Sequence, residues 1–338
     1  MSGFASIAAF ERALAELPAP NADAIAAARA RQAELTKPAG SLGRLEDVAV
    51  FMAGWQGRER PRVEHGRVAI FAGNHGVTRH GVSAFPAEVT AQMVGNFEAG
   101  GAAINQLARA AGLALTVVAL ELDRPTGDFT CEPALSEANC LAALSAGAAV
   151  VEPGRDLLVV GEMGIGNSTS AAALCARSFG GAASDWVGPG TGLDMAGVGR
   201  KAEVIERALA FHAVAPVGAF ETLRRVGGRE LAAIAGAVLA ARLARVPVLL
   251  DGFISCASIA SLAAQNPGIV DHCLAGHCST EPGHARLLSR LGLDPLLTLG
   301  MRLGEGSGAA VAASIVRAAL AAHDGMATFA EAAVSNRE

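Results

Sequence analysis

Apolar positions recur at helical spacing over residues 5–17 and 21–36, and Asn21 or Asp23 is placed to cap the second run. The segment Lys37-Pro38-Ala39-Gly40-Ser41-Leu42-Gly43-Arg44 breaks that period, which resumes over residues 44–56. A polar stretch from Gln56 to Gly66 then closes the helical opening and marks an expected domain boundary, with residues 1–62 on one side. From Arg67 the pattern changes. Short apolar runs (Val68 to Phe71, Leu113 to Leu120, Leu157 to Val160, Pro247 to Leu250, Ile269 to Leu274 and Leu296 to Leu299) alternate with alanine-rich stretches. The runs are apolar on both faces, as parallel strands covered on both sides by helices must be. The stretches at 101–112, 168–179, 200–213, 229–244, 256–265 and 309–322 are long enough for crossover helices. The expected fold is therefore α/β, an open and mainly parallel sheet wound on both faces, over residues 63–323.

Composition narrows the function. Half the chain is hydrophobic (51%) and 17% is charged, enough apolar material for a sizeable core. With 4% aromatics and no Tyr there is little to stack on nucleobases, and a net charge of −5 disfavours nucleic acid or an anionic membrane. No apolar run reaches the ~20 residues of a membrane span. Met1-Ser2-Gly3-Phe4 lacks the basic and apolar regions of a signal peptide. Six scattered cysteines suit reduced thiols and a cytoplasmic setting.

The unusual residues cluster at strand ends. Gly73-Asn74-His75-Gly76, Gly161 to Ser168, Asp251 to Ser255, Gly276-His277-Cys278-Ser279 and Met301 to Gly308 each follow an apolar run. Ligands of open α/β sheets bind beyond the carboxyl ends of the strands, so five such turns describe one site. A single glycine turn is what any αβ connection needs. Glu162, Asp251 and Glu305 add charges that turns do not require.

The last turn, Met301-Arg302-Leu303-Gly304-Glu305-Gly306-Ser307-Gly308, poses a contradiction. A glycine-rich strand-to-helix turn presents N–H groups to an anion, and a carboxylate there repels one. Glu305 therefore reads as a catalytic base beside a phosphorylated substrate. Asn167 to Ser170, after the Gly164/Gly166 turn, offers an anion site or simple helix capping. Val187 to Gly192 is a further flexible turn, and Lys201 matters only if a phosphate lies near it. Asp251 is expected at a ribose hydroxyl, and His75 and His80 as acids, hydrogen-bond donors or structural residues. His272, Cys273, His277, Cys278, Glu281 and His284 match no standard zinc spacing, so no metal is expected. Neither a Walker A lysine motif nor a G-x-G-x-x-G follows the first strand.

Lys37-Pro38-x-Gly40-Ser41-Leu42-Gly43-Arg44-Leu45, Asn74-His75-Gly76-Val77, Gly161-Glu162-Met163-Gly164, Asp251-Gly252-Phe253 and Arg302 to Gly308 occur in this order. Together they resemble the nicotinate-nucleotide:dimethylbenzimidazole phosphoribosyltransferase family of cobalamin lower-ligand assembly, over about residues 20 to 335. The resemblance implies a Rossmann-like catalytic domain and a small helical domain, here residues 1–62 joined by a C-terminal helix at about 324–338. It also implies homodimers and no cofactor. The implied substrates are nicotinate mononucleotide and a benzimidazole-type base. The implied base is Glu305, with Glu162 as a second carboxylate. Lys201 and Ser279 resemble the family's phosphate contacts, with Gly164, Gly190, Thr191, Gly306, Ser307 and Gly308 completing that pocket. Phe85, Pro86, Met93, Met163 and Leu303 are expected around the acceptor. Adenine, another purine or a phenol as acceptor, a nucleotide-binding sensor, and a metal-dependent hydrolase are the competing readings.

Overall fold

The computed structural model describes residues 3–335. Three helices, α1 (Ile7–Ala15), α2 (Ala22–Glu34) and α3 (Arg44–Gln56), precede β1 (Gly66–Ala72). Then come α4 (Glu88–Glu98), α5 (Ala103–Ala110), β2 (Ala114–Ala119), α6 (Glu137–Ala149) and β3 (Leu157–Met163). After β3 lie α7 (Asn167–Phe179), α8 (Met195–Phe211), α9 (Ala219–Val226), α10 (Arg229–Leu243) and β4 (Val248–Leu250). The chain continues with α11 (Phe253–Ser258), α12 (Ala260–Gln265), β5 (Cys273–His277), α13 (Pro282–Leu291), β6 (Pro295–Leu297) and α14 (Ser307–Gly325).

The six strands form one sheet in the order β2-β1-β3-β4-β5-β6, and every neighbouring pair is parallel. The chain reverses its direction of growth between β1 and β3, so loops diverge there and leave a crevice at the strand ends. Alternate strand residues face opposite layers. Ala69, Phe71, Leu158, Val160 and Leu250 point to a layer with α6, α7 and α10. Val68, Ile70, Leu157, Val159 and Leu249 point to a layer with α3, α5 and α14. Helices α6 and α10 touch backbone to backbone. A Cβ on Gly147 would stand 1.7 Å from the Ala233 carbonyl oxygen, and one on Gly236 2.0 Å from that of Leu144. Small residues are therefore required along this seam.

The expected strands and most of the expected helices are present, with three differences. The run from Ile269 starts in a 3-10 turn, Pro267–Val270, capped by the Asn266 side chain on the Gly268 N–H, so the strand begins only at Cys273. The 256–265 stretch is two short helices rather than one. The C-terminal helix expected at about 324–338 is absent over residues 326–335, and 336–338 lie outside the described residues. In its place the chain leaves α14 in extended form. The N–H of Thr36 donates to the Ala327 carbonyl (3.1 Å) and that of Phe329 to the Glu34 carbonyl (2.9 Å). Arg31 also donates to the carbonyls of His323, Asp324 and Met326. A single antiparallel bridge, Leu35 to Thr328, thus takes the backbone groups of 327–329 that a helix would have used, and the residues after it close into turns.

The opening helices do not share a core of their own. Phe10 and Leu14 of α1 join the α10 layer, whereas Val48, Ala49 and Met52 of α3 join the α14 layer.

Candidate active site

A pocket opens at the carboxyl ends of β3, β4, β5 and β6. Its wall runs from Glu162 to Ser168 after β3, through Gly252 to Ile254 after β4 and His277, Ser279 and Glu281 at β5, to Arg302 through Glu305 after β6. Val82, Ser83, the 189–193 loop and Lys201 of α8 complete it. Four of the five expected turns therefore converge, together with Lys201, Ser279, Gly164, Gly190, Thr191, Met163 and Leu303.

Glu305 stands in the left-handed region (φ 63°) between Gly304 and Gly306, each at φ 80°. A residue with a Cβ is held there only when its surroundings enforce it. Here they do, because the turn lies directly on the end of β3. A Cβ on Gly161 would meet the Gly306 nitrogen at 2.6 Å, and one on Gly304 would meet Glu162 Oε1 at 2.5 Å. The same contact brings two acidic segments together. Glu305 is 6% exposed, its Oε2 has no hydrogen-bond partner, and burial raises its pKa to about 7. Glu162 accepts from Asn167 Nδ2 at 2.5 Å. Burial raises it to about 8, with the charges of Asp251, Glu230 and Glu305 adding to the rise and Asn167 opposing it. These are carboxyls held near neutrality, the range in which a carboxylate serves as a base.

The opposite wall is cationic and polar. Lys201, 1% exposed, donates from Nζ to Ser168 Oγ (3.0 Å) and to the Gly188 carbonyl (2.9 Å). Burial lowers its pKa to about 8, against the pull of Glu281. Glu281 accepts the Gly190 N–H at 3.0 Å, and Arg302 donates to the Gly190 carbonyl at 3.2 Å. Ser279 Oγ lies 2.9 Å from Nδ1 of His284. His277 lines the pocket with both ring nitrogens unpartnered, and burial lowers its pKa.

Several expected site residues lie elsewhere. Asp251 does not line the pocket: it is 1% exposed beneath α14, accepting the N–H groups of Gly306 (3.1 Å) and Ala309 (2.8 Å). Gly306, Ser307 and Gly308 do not line the pocket, because they form the buried first turn of α14 and Gly308 presses on the His277 ring. Phe85 and Pro86 line a neighbouring groove that shares Ser83 with the pocket. Met93 packs into the α14 layer, since the inward face of α4 turns it to the core. His75 is locked between Glu230 Oε1 (2.6 Å) and Ser170 Oγ (3.0 Å), and His80 pairs with Asp128 (2.8 Å). Among the described residues no group of three His, Cys, Asp or Glu is arranged to hold a metal ion.

Glu281 and Arg302 are pocket residues that sequence reasoning missed as such. Glu281 stands among the metal candidates, and its position after a buried strand, just before Pro282, is the available signal. Arg302 is visible in the sequence only as a neighbour of Glu305.

The comparisons agree with this architecture. A phosphoribosyltransferase family model matches residues 17–334. The chain is 73% identical to the nicotinate-nucleotide–dimethylbenzimidazole phosphoribosyltransferase of Novosphingobium aromaticivorans, over 99% of each chain. It is 58% identical to that of Ruegeria pomeroyi, over 98% of each. Two crystal structures from Thermus thermophilus superpose on it, covering 93% and 94% of this chain and 100% of theirs. The first, of CobT, has a TM-score of 0.87 at 43% identity; the second, of nicotinate-nucleotide–dimethylbenzimidazole phosphoribosyltransferase, 0.85 at 42%. With this match along nearly its whole length, the chain belongs to the nicotinate-nucleotide–dimethylbenzimidazole phosphoribosyltransferase family, and it is a phosphoribosyltransferase.

Proposed function

We propose that this enzyme transfers the phosphoribosyl group of nicotinate mononucleotide to 5,6-dimethylbenzimidazole, with Glu305 as general base, in cobalamin lower-ligand assembly. The bond between the anomeric carbon and the pyridinium nitrogen breaks, and its electron pair stays on nicotinate, which leaves neutral at nitrogen and needs no acid. One azole nitrogen of the acceptor bonds to the anomeric carbon. The proton on the other azole nitrogen passes to Glu305. The products are α-ribazole 5′-phosphate and nicotinate.

The observation that carries this reading is Glu305 itself, a pocket-lining carboxylate with an unpartnered, buried oxygen and a pKa raised by burial to about 7. Glu162 stands beside it; burial raises its pKa to about 8, so it would add to the stabilisation of positive charge developing on the ribose only in its ionised fraction. Lys201, Ser279 and Ser168 would take the phosphate on the other wall, with Gly164, Gly190 and Thr191 around it. Of the residues expected around the acceptor, Met163 and Leu303 line the pocket, Leu303 being 54% exposed at the rim, and Val82, Ile165, Leu193, Phe253 and Ile254 add apolar lining.

The same proposal includes a homodimer, which rests on the resemblance, and a small unit made of α2 and α3 with the 326–335 segment paired to α2. The six cysteines are free, which suits the cytoplasmic setting, and no described helix is long and apolar enough to cross a membrane.

Glu305→Gln tests the proposal. It should bind nicotinate mononucleotide as the parent does and lose roughly 10²–10⁴-fold in kcat. Turnover near the parent's would remove Glu305 from the mechanism.

A further inference from the structure

The amide that Asp251 holds through Oδ2 is the one linking Glu305 to Gly306. Its other oxygen holds the Ala309 N–H, three residues further into α14. One carboxylate at the end of β4 therefore fixes the peptide plane immediately after Glu305 and ties it to the first turn of the helix. That plane sets the ψ angle of a residue whose φ is already left-handed. Released from it, a glutamate with a Cβ would relax toward the right-handed or extended regions and swing its carboxyl out of place.

The same bonds have a second consequence. A helix start after a glycine turn is an anion site by default. At α14 that site already holds a carboxyl group of the protein's own, whose pKa burial raises to about 7 against the hydrogen bonds from Ala309 and Gly306. Asp251 is 1% exposed and lies outside the pocket lining, so it meets no substrate.

We infer that Asp251 is a positioning residue for this reaction: an internal carboxyl that accepts the N–H groups at the N-terminus of α14 and so holds Glu305 in its left-handed conformation toward the pocket. The inference rests on the reading of Glu305 as base. His277, whose Nε2 lies 3.6 Å from Asp251 Oδ1, borders the carboxylate on its other side, and Gly308 packs against that ring. The carboxylate is thus caged by β5 and α14 together.

The test uses the full-length enzyme with nicotinate mononucleotide and dimethylbenzimidazole, comparing Asp251→Gly, Asp251→Asn and Glu305→Gln. Asp251→Gly vacates a carboxylate-sized space, and kcat should fall about a hundredfold, the scale of a misplaced catalytic group. The donor KM should stay within about threefold, because the phosphate wall is untouched. Sodium formate, seated where the carboxylate was, should restore at least about tenfold of that loss; it should do nothing for Glu305→Gln. Asp251→Asn keeps the volume and one acceptor, so its kcat should fall between the two. If Asp251→Gly fails to fold, a kcat loss in Asp251→Asn at unchanged KM supports the inference by itself. Parent-like kcat in either folded variant overturns it, as does a loss shared by kcat and KM that formate does not touch. Parent-like turnover in Glu305→Gln would instead sink the base assignment beneath it.

Discussion

Helices α7 and α14 begin in the same way and end up with opposite surroundings. Each follows a parallel strand, β3 buried and β6 half-buried at the sheet edge, and a glycine-rich turn. Each has a left-handed glycine at its N-cap, Gly166 at φ 91° and Gly306 at φ 80°, with no side-chain cap from that residue. By local sequence both are anion sites. Yet the start of α7, from Gly164 to Ser168, opens into the pocket, where Ser168 meets the Lys201 ammonium. The start of α14 is closed by the Asp251 carboxylate. What separates them is a residue 55 positions away from Gly306, at the end of a neighbouring strand. A glycine turn specifies a shape, and the strand beside it specifies the occupant. The contradiction of a glutamate in an anion turn dissolves at this point, because the N–H groups at α14 are already taken by an internal carboxyl and Glu305 is only carried past them.

The contrast can be broken at three strengths. The largest expected effect is at the α14 end, the loss of roughly 10²–10⁴-fold in kcat for Glu305→Gln. Next comes the α7 end. Lys201→Met removes the buried ammonium of the pocket, and charge-assisted contacts to phosphate are worth about 1.5–3 kcal/mol. The donor KM should therefore rise by about ten- to hundredfold. Steady-state titration with nicotinate mononucleotide reads it directly, and a change confined to kcat would mean that the phosphate lies elsewhere.

The smallest effect is in the pH profile. In the proposed mechanism Glu305 would act as a base only when ionised, and burial raises its pKa to about 7, so kcat/KM should climb as pH rises toward that value. By the same mechanism Lys201 would hold phosphate only when protonated, and burial brings its pKa down to about 8, so kcat/KM should fall again above that. The free enzyme thus has a narrow bell between the two. In Lys201→Met the alkaline limb should flatten while the acid limb stays, and in Glu305→Gln the reverse. A profile that is flat from about pH 6 to about pH 9 would contradict both assignments.

Much of this was legible in the sequence. Runs apolar on both faces read as a parallel sheet, and the polar turns at strand ends read as one site. Glu162, Glu305, Lys201 and Ser279 all reach the pocket. What could not be read was direction. Asp251 sits at a strand end, as a ribose ligand would, but it points under the neighbouring turn rather than out of the sheet. Met93 lies on the inward face of α4, and one-residue differences in helix phase are invisible without knowing what the helix packs on. The 326–335 segment carries helix-forming alanines, yet residues 327–329 pair with 34–36, whose backbone groups lie beside them in space, and residues 328–334 close only into turns. Local propensity is weak when a long-range partner is available.

The central claim is that the two helix starts divide the work, phosphate at α7 and proton at α14. A crystal structure of the enzyme with nicotinate mononucleotide tests it most directly. The account predicts the phosphate within hydrogen-bonding distance of Lys201 Nζ, Ser279 Oγ or Ser168 Oγ, the ribose toward Glu162, and Asp251 still bonded to Gly306 and Ala309. A phosphate seated on the N–H groups of Gly306 to Ala309, with Asp251 displaced, would contradict it.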